Sequence, residues 1–139
     1  MSAPHPRLLA ADVCTAELEP CPFDPDSVQA GTPHTSDTAL VRLGATCVGL
    51  WQITEGTVVD VEVDEVFVVV CGDATLTFHT EGGRSCLELA PGVVVLLKAG
   101  DRTTWEIRTT LRKIYIAAPA SPSPEDSTAV GTARNDYFT

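Results

Sequence analysis

Thr57–Phe78, TVVDVEVDEVFVVVCGDATLTF, holds the alternation that decides the fold. Val59, Val61 and Val63 share one parity, and Asp60, Glu62 and Asp64 share the other. The first parity runs on through Glu65, Phe67, Val69 and Cys71. A period of two is the signature of a β-strand with one face in a core. On this reading Asp60, Glu62 and Asp64 form a solvated face, Cys71 is a small core residue, and Glu65 is an acid on the apolar face. Gly72-Asp73 then marks a turn before the next strand, ATLTFHT.

The pattern extends in both directions. ALVRL and TCVGLWQIT precede it; SCLELA, VVVLLK, RTTWEIR and RKIYIAA follow, separated by Glu81-Gly82-Gly83, Pro91-Gly92 and Ala99-Gly100-Asp101. Short strands at regular spacing with glycine-rich turns predict an all-β sandwich or barrel. EGGR, Glu81–Arg84, is a hairpin turn and not a phosphate loop, since no helix follows it. Residues 1–36 hold most of the prolines and predict an irregular N-terminal arm that adds a strand or covers an edge. Residues 37–118 form the β domain. Residues 119–139, rich in Pro, Ser and Thr, predict a flexible, disordered tail.

Composition narrows the function. The 139 residues carry a formal charge of −10, which argues against nucleic-acid or anionic-membrane surfaces. No apolar run approaches the ~20 residues of a membrane span, and the first residues lack the apolar core of a signal peptide. A cytoplasmic location is expected. Five cysteines, Cys14, Cys21, Cys47, Cys71 and Cys86, lack zinc-site spacing and are expected as free thiols. His5, His34 and His79 have no suggestive context.

These residues resemble a family. Gly49, Trp51, Thr54, Gly56, Glu65, Gly72, Pro91, Gly92, Gly100, Trp105, Arg112, Lys113 and Tyr115 stand where small single-domain cupins carry their motifs. The branch is the ureidoglycine aminohydrolase-like one that includes ethanolamine-utilisation cupins. The likeness covers residues 45–118, with TEG in place of T-P-G and PGV in place of P-G-D. It implies a double-stranded β-helix, or jelly roll, with a ligand cavity between the sheets, and a homodimer formed by sheet packing. Val66, Val68 and Val70, apolar on the face opposite Glu65, need such a cover, or the arm.

The metal-cupin frame G-x5-H-x-H-x3-4-E-x6-G keeps Glu65 and Gly72 here. Its two histidine places fall on Val59 and Val61, and its fourth ligand on Thr103. Valine cannot ligate, so the resemblance implies a metal-free cavity with no cofactor. A register shift would bring in Glu62 and Asp64 instead. A buried acid needs a counter-charge. Lys113 and Tyr115 share a parity on LRKIYI and match R-K-x-Y, so Glu65, Lys113 and Tyr115 are the expected polar cluster. Trp51, Phe67, Thr103 and Trp105 are its expected walls. The cluster is either a binding site or a structural ion pair, and the tryptophans read first as core aromatics. Arg102 and Arg108 read as surface charges.

Three functions remain. The first is a metal-free cupin that binds a small polar or anionic molecule. The second is an enzyme of ureide or amine metabolism using Glu65, Tyr115 and Lys113 as acid–base groups. The third is a dimerisation module.

Overall fold

The computed structural model describes residues 5–118. The arm contributes two short strands, β1 (Glu19–Pro20) and β2 (Val28–Gly31), around a single 3-10 turn, Pro25–Ser27. Asp24 caps that turn by accepting from the Asp26 amide, and Pro25 sits where a missing N–H costs nothing. Seven strands follow: β3 (Thr35–Leu43), β4 (Thr46–Ile53), β5 (Gly56–Val61), β6 (Glu65–Thr80), β7 (Gly83–Leu89), β8 (Val94–Leu97) and β9 (Arg102–Ala117). All nine belong to one antiparallel, curled sheet, the all-β fold expected from the strand spacing.

β6 and β9 organise it. Each is 16 residues long, and they pair from Glu65↔Ala117 to His79↔Arg102. The far edge of β9 pairs with β5 along its first half and with β4 along its second. The far edge of β6 pairs with β8 and then with β7. The outer strands β1 and β2 lie on β3 and β5, so the arm covers two edges that would otherwise be open.

The predicted turn at Gly72-Asp73 is absent. EVFVVVC and ATLTFHT are one strand, as are RTTWEIR and RKIYIAA. Register shifts between Val69 and Ala74 bend the strand without ending it. Gly72 has φ +101°, and a Cβ there would lie 2.6 Å from the Leu111 Cα. Its sequence signal is that of a turn, but the demand is close approach of two backbones. The extra residue also switches parity. Glu65, Phe67 and Val69 face inward before the bulge; Ala74 and Leu76 do so after it. Cys71 falls in between and is half-buried, so it is not the core residue that the alternation suggested.

The core is the concave face of the curl, filled by Trp51, Ile53, Val58, Phe67, Val69, Leu76, Leu97, Trp105, Leu111 and Tyr115, among others. On the convex side Val66, Val94, Leu96 and Ile116 remain exposed. Val66 is opposite both Leu96 and Ile116 in the ladders, which makes the patch continuous.

Candidate functional site

Direct partners in an antiparallel ladder share a face. Trp51, Lys113 and Val69 stand in one row across β4, β9 and β6, and Gly49, Tyr115 and Phe67 in the next. Glu65 follows two residues before Phe67 on the same face. Val58, Trp105 and Leu76 form the facing row on the other half of the curl. One strand, β9, therefore supplies both Trp105 and Lys113 from opposite sides of the interior.

The two halves meet at Lys113. Its side chain is fully buried, and Nζ donates to Glu65 Oε2 at 2.6 Å, also fully buried. Nζ also lies 4.9 Å from the Trp51 ring centroid, 4.5 Å from Phe67 and 5.0 Å from Trp105. The rings pack on each other as well, Trp51 on Trp105 at 5.9 Å and Phe67 on Trp105 at 5.6 Å. An ammonium ringed by three π faces gains quadrupole attraction that grows as water is removed. The acid on the apolar face thus has its counter-charge, and the aromatics are at once core and cage.

Tyr115 takes another course. It is buried, and its hydroxyl passes over Gly49, where any Cβ would collide with it. The hydroxyl bonds to the Cys47 side chain. Burial first, then the neighbouring Cys47 and Asp37, push the phenol well above its ordinary range. The structure therefore groups Glu65, Lys113, Trp51, Phe67 and Trp105 tightly, with Tyr115 one row further along the same face.

Glu62 corrects the sequence reading. It is buried, 3% exposed, and not part of a solvated face. Oε2 accepts from Thr103 Oγ1 at 2.6 Å and from Trp105 Nε1 at 3.1 Å. The reason is the β5–β9 register. Asp60 is opposite Thr103 and Val58 opposite Trp105, so the inward positions are even-numbered. Val59 and Val61 pair with Thr104 and Arg102 on the other face, and Val61 is 53% exposed. β5 then ends, and Glu62 is held by backbone bonds to Asp101 and Gly100 in the facing turn. This short irregular link, residues 62–64, restores Glu65 to the inner face. Asp64, by contrast, is exposed and accepts from the Ala99 amide. The sequence hint was the alternative register that brings in Glu62.

The interior does not fit a metal. Val59 and Val61 point outward, Thr103 donates to Glu62, and Glu65 already faces an ammonium that would repel a cation. No group of three or more His, Cys, Asp or Glu is arranged to hold a metal ion among the described residues.

A groove of about 400 Å³ reaches Thr103 from outside, lined by Ser27, Val59, Asp60, Val61, His79 and Arg102. A larger groove, about 650 Å³, runs between the arm and β3–β4 and includes Phe23, His34 and Gln52. Arg108, as expected of a surface charge, joins Asp73, Glu88 and Thr75 in an exposed network. Among the described residues no helix is long and apolar enough to cross a membrane.

Solved structures share this architecture. Ethanolamine utilization protein Q from Salmonella typhimurium LT2 is 22% identical, with a TM-score of 0.53 over 63% of this chain and 72% of that one. The EutQ protein of Clostridium difficile is 17% identical, with a TM-score of 0.52 over 73% of this chain and 83% of its own. A DUF861-family protein of unknown function from Pseudomonas syringae is 22% identical, with a TM-score of 0.63 over 75% of this chain and 45% of that one. At such identities the likeness speaks for the fold alone. No curated protein matches the chain. The family description "EutQ-like cupin domain" matches residues 40–115, more than half of the sequence and nearly all of β3–β9, and the chain belongs to that family.

Proposed function

We propose that this cupin is a metal-free binder of a small polar molecule, seated in the groove at Thr103 and read by the acidic interior behind it. The supporting observation is the double role of Thr103. Its residue lines the 400 Å³ groove, and its hydroxyl donates to the buried Glu62 at 2.6 Å. Thr103, itself buried at the floor of the groove, joins that floor to Glu62, and Trp105 links Glu62 to the Lys113 cage. Glu62 and Glu65 against Lys113 leave the interior with an excess of carboxylates. That balance favours a neutral or amine-bearing ligand over the anion that the sequence also allowed.

Acid–base catalysis has less support. A phenol raised by burial and bonded to Cys47 is a poor base near neutral pH, and Lys113 is sealed from solvent. The dimer remains a proposal carried by the convex apolar patch, Val66, Val94, Leu96 and Ile116.

The test is a thermal-shift and native mass-spectrometry screen of small amides, polyols and primary amines against the wild type and Thr103→Val. The proposal expects one class to stabilise the wild type, with at least a tenfold weaker effect on T103V. Equal shifts in both proteins, or none in the wild type, would overturn it.

A further inference from the structure

The arm brings a second, unrelated chemistry to the outside of the sheet. Residues 12–16 fold into a tight turn. The Asp12 carbonyl accepts from the amides of Thr15 and Ala16, and its carboxylate from the Cys14 amide at 2.9 Å. Arg112 fastens this turn to β9. One Nη donates to the carbonyls of Val13 at 2.8 Å and Ala16 at 2.9 Å, while Nε and the other Nη hold Gln52 Oε1. The consequence is at Cys14. Its Sγ lies 2.8 Å from Cys71 Sγ, across 57 residues of sequence, and 3.6 Å from the Val70 carbonyl. Cys71 sits in the β6 bulge, where the parity switch turns its side chain toward the arm.

We infer that Cys14 and Cys71 form a redox-modification site, a dithiol that closes to an intramolecular disulfide by exchange with a low-molecular-weight disulfide. Several observations converge. The two sulfurs already touch, so closing the bond requires no search through loop conformations. Cys14 is exposed and Cys71 is half-buried beneath it, which fixes the order of attack. Burial, followed by the Cys14 contact, raises the Cys71 thiol above its ordinary value, so the outer sulfur reacts first. Arg112 opposes that rise and favours the Cys71 thiolate needed for the second step.

The chemistry balances as two exchanges. The Cys14 thiolate attacks one sulfur of the small disulfide, forming a mixed disulfide and expelling a thiolate. The Cys71 thiolate then attacks Cys14 Sγ, forming the Cys14–Cys71 bond and expelling the second thiolate. The two cysteines are oxidised, the small disulfide is reduced to two thiols, and those thiols take up the two protons. The product ties the arm covalently to β6.

The experiment uses oxidised glutathione on the full chain, with alkylation and mass spectrometry of intact protein and of peptides. The expected wild-type product has lost two hydrogens, carries no glutathione at Cys14, and links Cys14 to Cys71. Cys71→Ser should instead accumulate one stable glutathione on Cys14. Cys14→Ser should lose the cross-link, whereas Cys21→Ser and Cys47→Ser should keep it. A wild type that retains glutathione on Cys14, or a cross-link that survives C14S, would overturn the inference.

Discussion

Removing the Lys113 ammonium leaves Glu65 buried among Trp51, Phe67 and Trp105 without its counter-charge. Breaking one side of such a pair costs ~3–5 kcal/mol, whereas replacing both sides with apolar groups costs far less. Urea unfolding of Lys113→Met should therefore show a loss of that size, and the Lys113→Met/Glu65→Leu double variant should recover most of it. If the double variant is as unstable as the single, the pair stabilises through more than mutual neutralisation. Tyr115 makes a prediction in pH. Its folded pKa is raised, so its contribution is fully present below the unfolded value of about 10 and is lost as pH rises beyond it. Alkaline titration of stability should fall more steeply in the wild type than in Tyr115→Phe; parallel curves would contradict that. These residues also mark what a sequence discloses. Glu65 was visible because it broke an apolar parity, and Lys113 because R-K-x-Y placed it inward. Glu62 was hidden, since two acidic neighbours at alternate positions imitate a solvated face.

Elements bend where the sequence suggests that they stop. Gly72 at φ +101° lets β6 pass against Thr110 and Leu111 of β9 without a side chain between them. Alanine there should cost at least ~1–3 kcal/mol from backbone strain alone, with further loss from the steric conflict. Gly82, which has open space around it, is the control. Thermal melts that show G72A no worse than G82A would remove the close-packing argument. The same site explains the limits of the strand reading. Period-two patterning, together with glycine turns, marked the strands from β3 to β9, since one-sided burial leaves its trace in β5 and β6 while β7 and β8 are bounded by their turns. It divided β6 and β9 in two, because a bulge and a turn draw on the same residues. It missed the β5 register, because Val58–Val61 carries valine on both parities and only the partner strand decides which side is inside.

For the molecule as a whole, the proposed dimer rests on the convex patch. Val94 and Leu96 are 61% and 58% exposed, with Val66 and Ile116 beside them in the ladder. Sedimentation of the wild type should give a dimer, and Leu96→Asp should give a folded monomer with an unchanged far-UV spectrum. A wild-type monomer, or an L96D dimer, would assign the patch no role in self-association. The arm enters this picture from the other end of the same surface, where Cys14 meets the Val70 carbonyl.

The order of β9 in the chain has a consequence for biosynthesis. It is the last of the described strands to be made, yet β4, β5 and β6 each pair with it along one edge. Until Arg102–Ala117 has left the ribosome, those three strands wait with open edges, and their pairings span long stretches of sequence that slow closure. Vectorial synthesis therefore allows β3–β4 and β6–β7 to pair early but leaves the core without the strand that joins its halves. Closing the core comes late, and during translation the nascent chain is exposed to mispairing at the edges that β9 will eventually occupy.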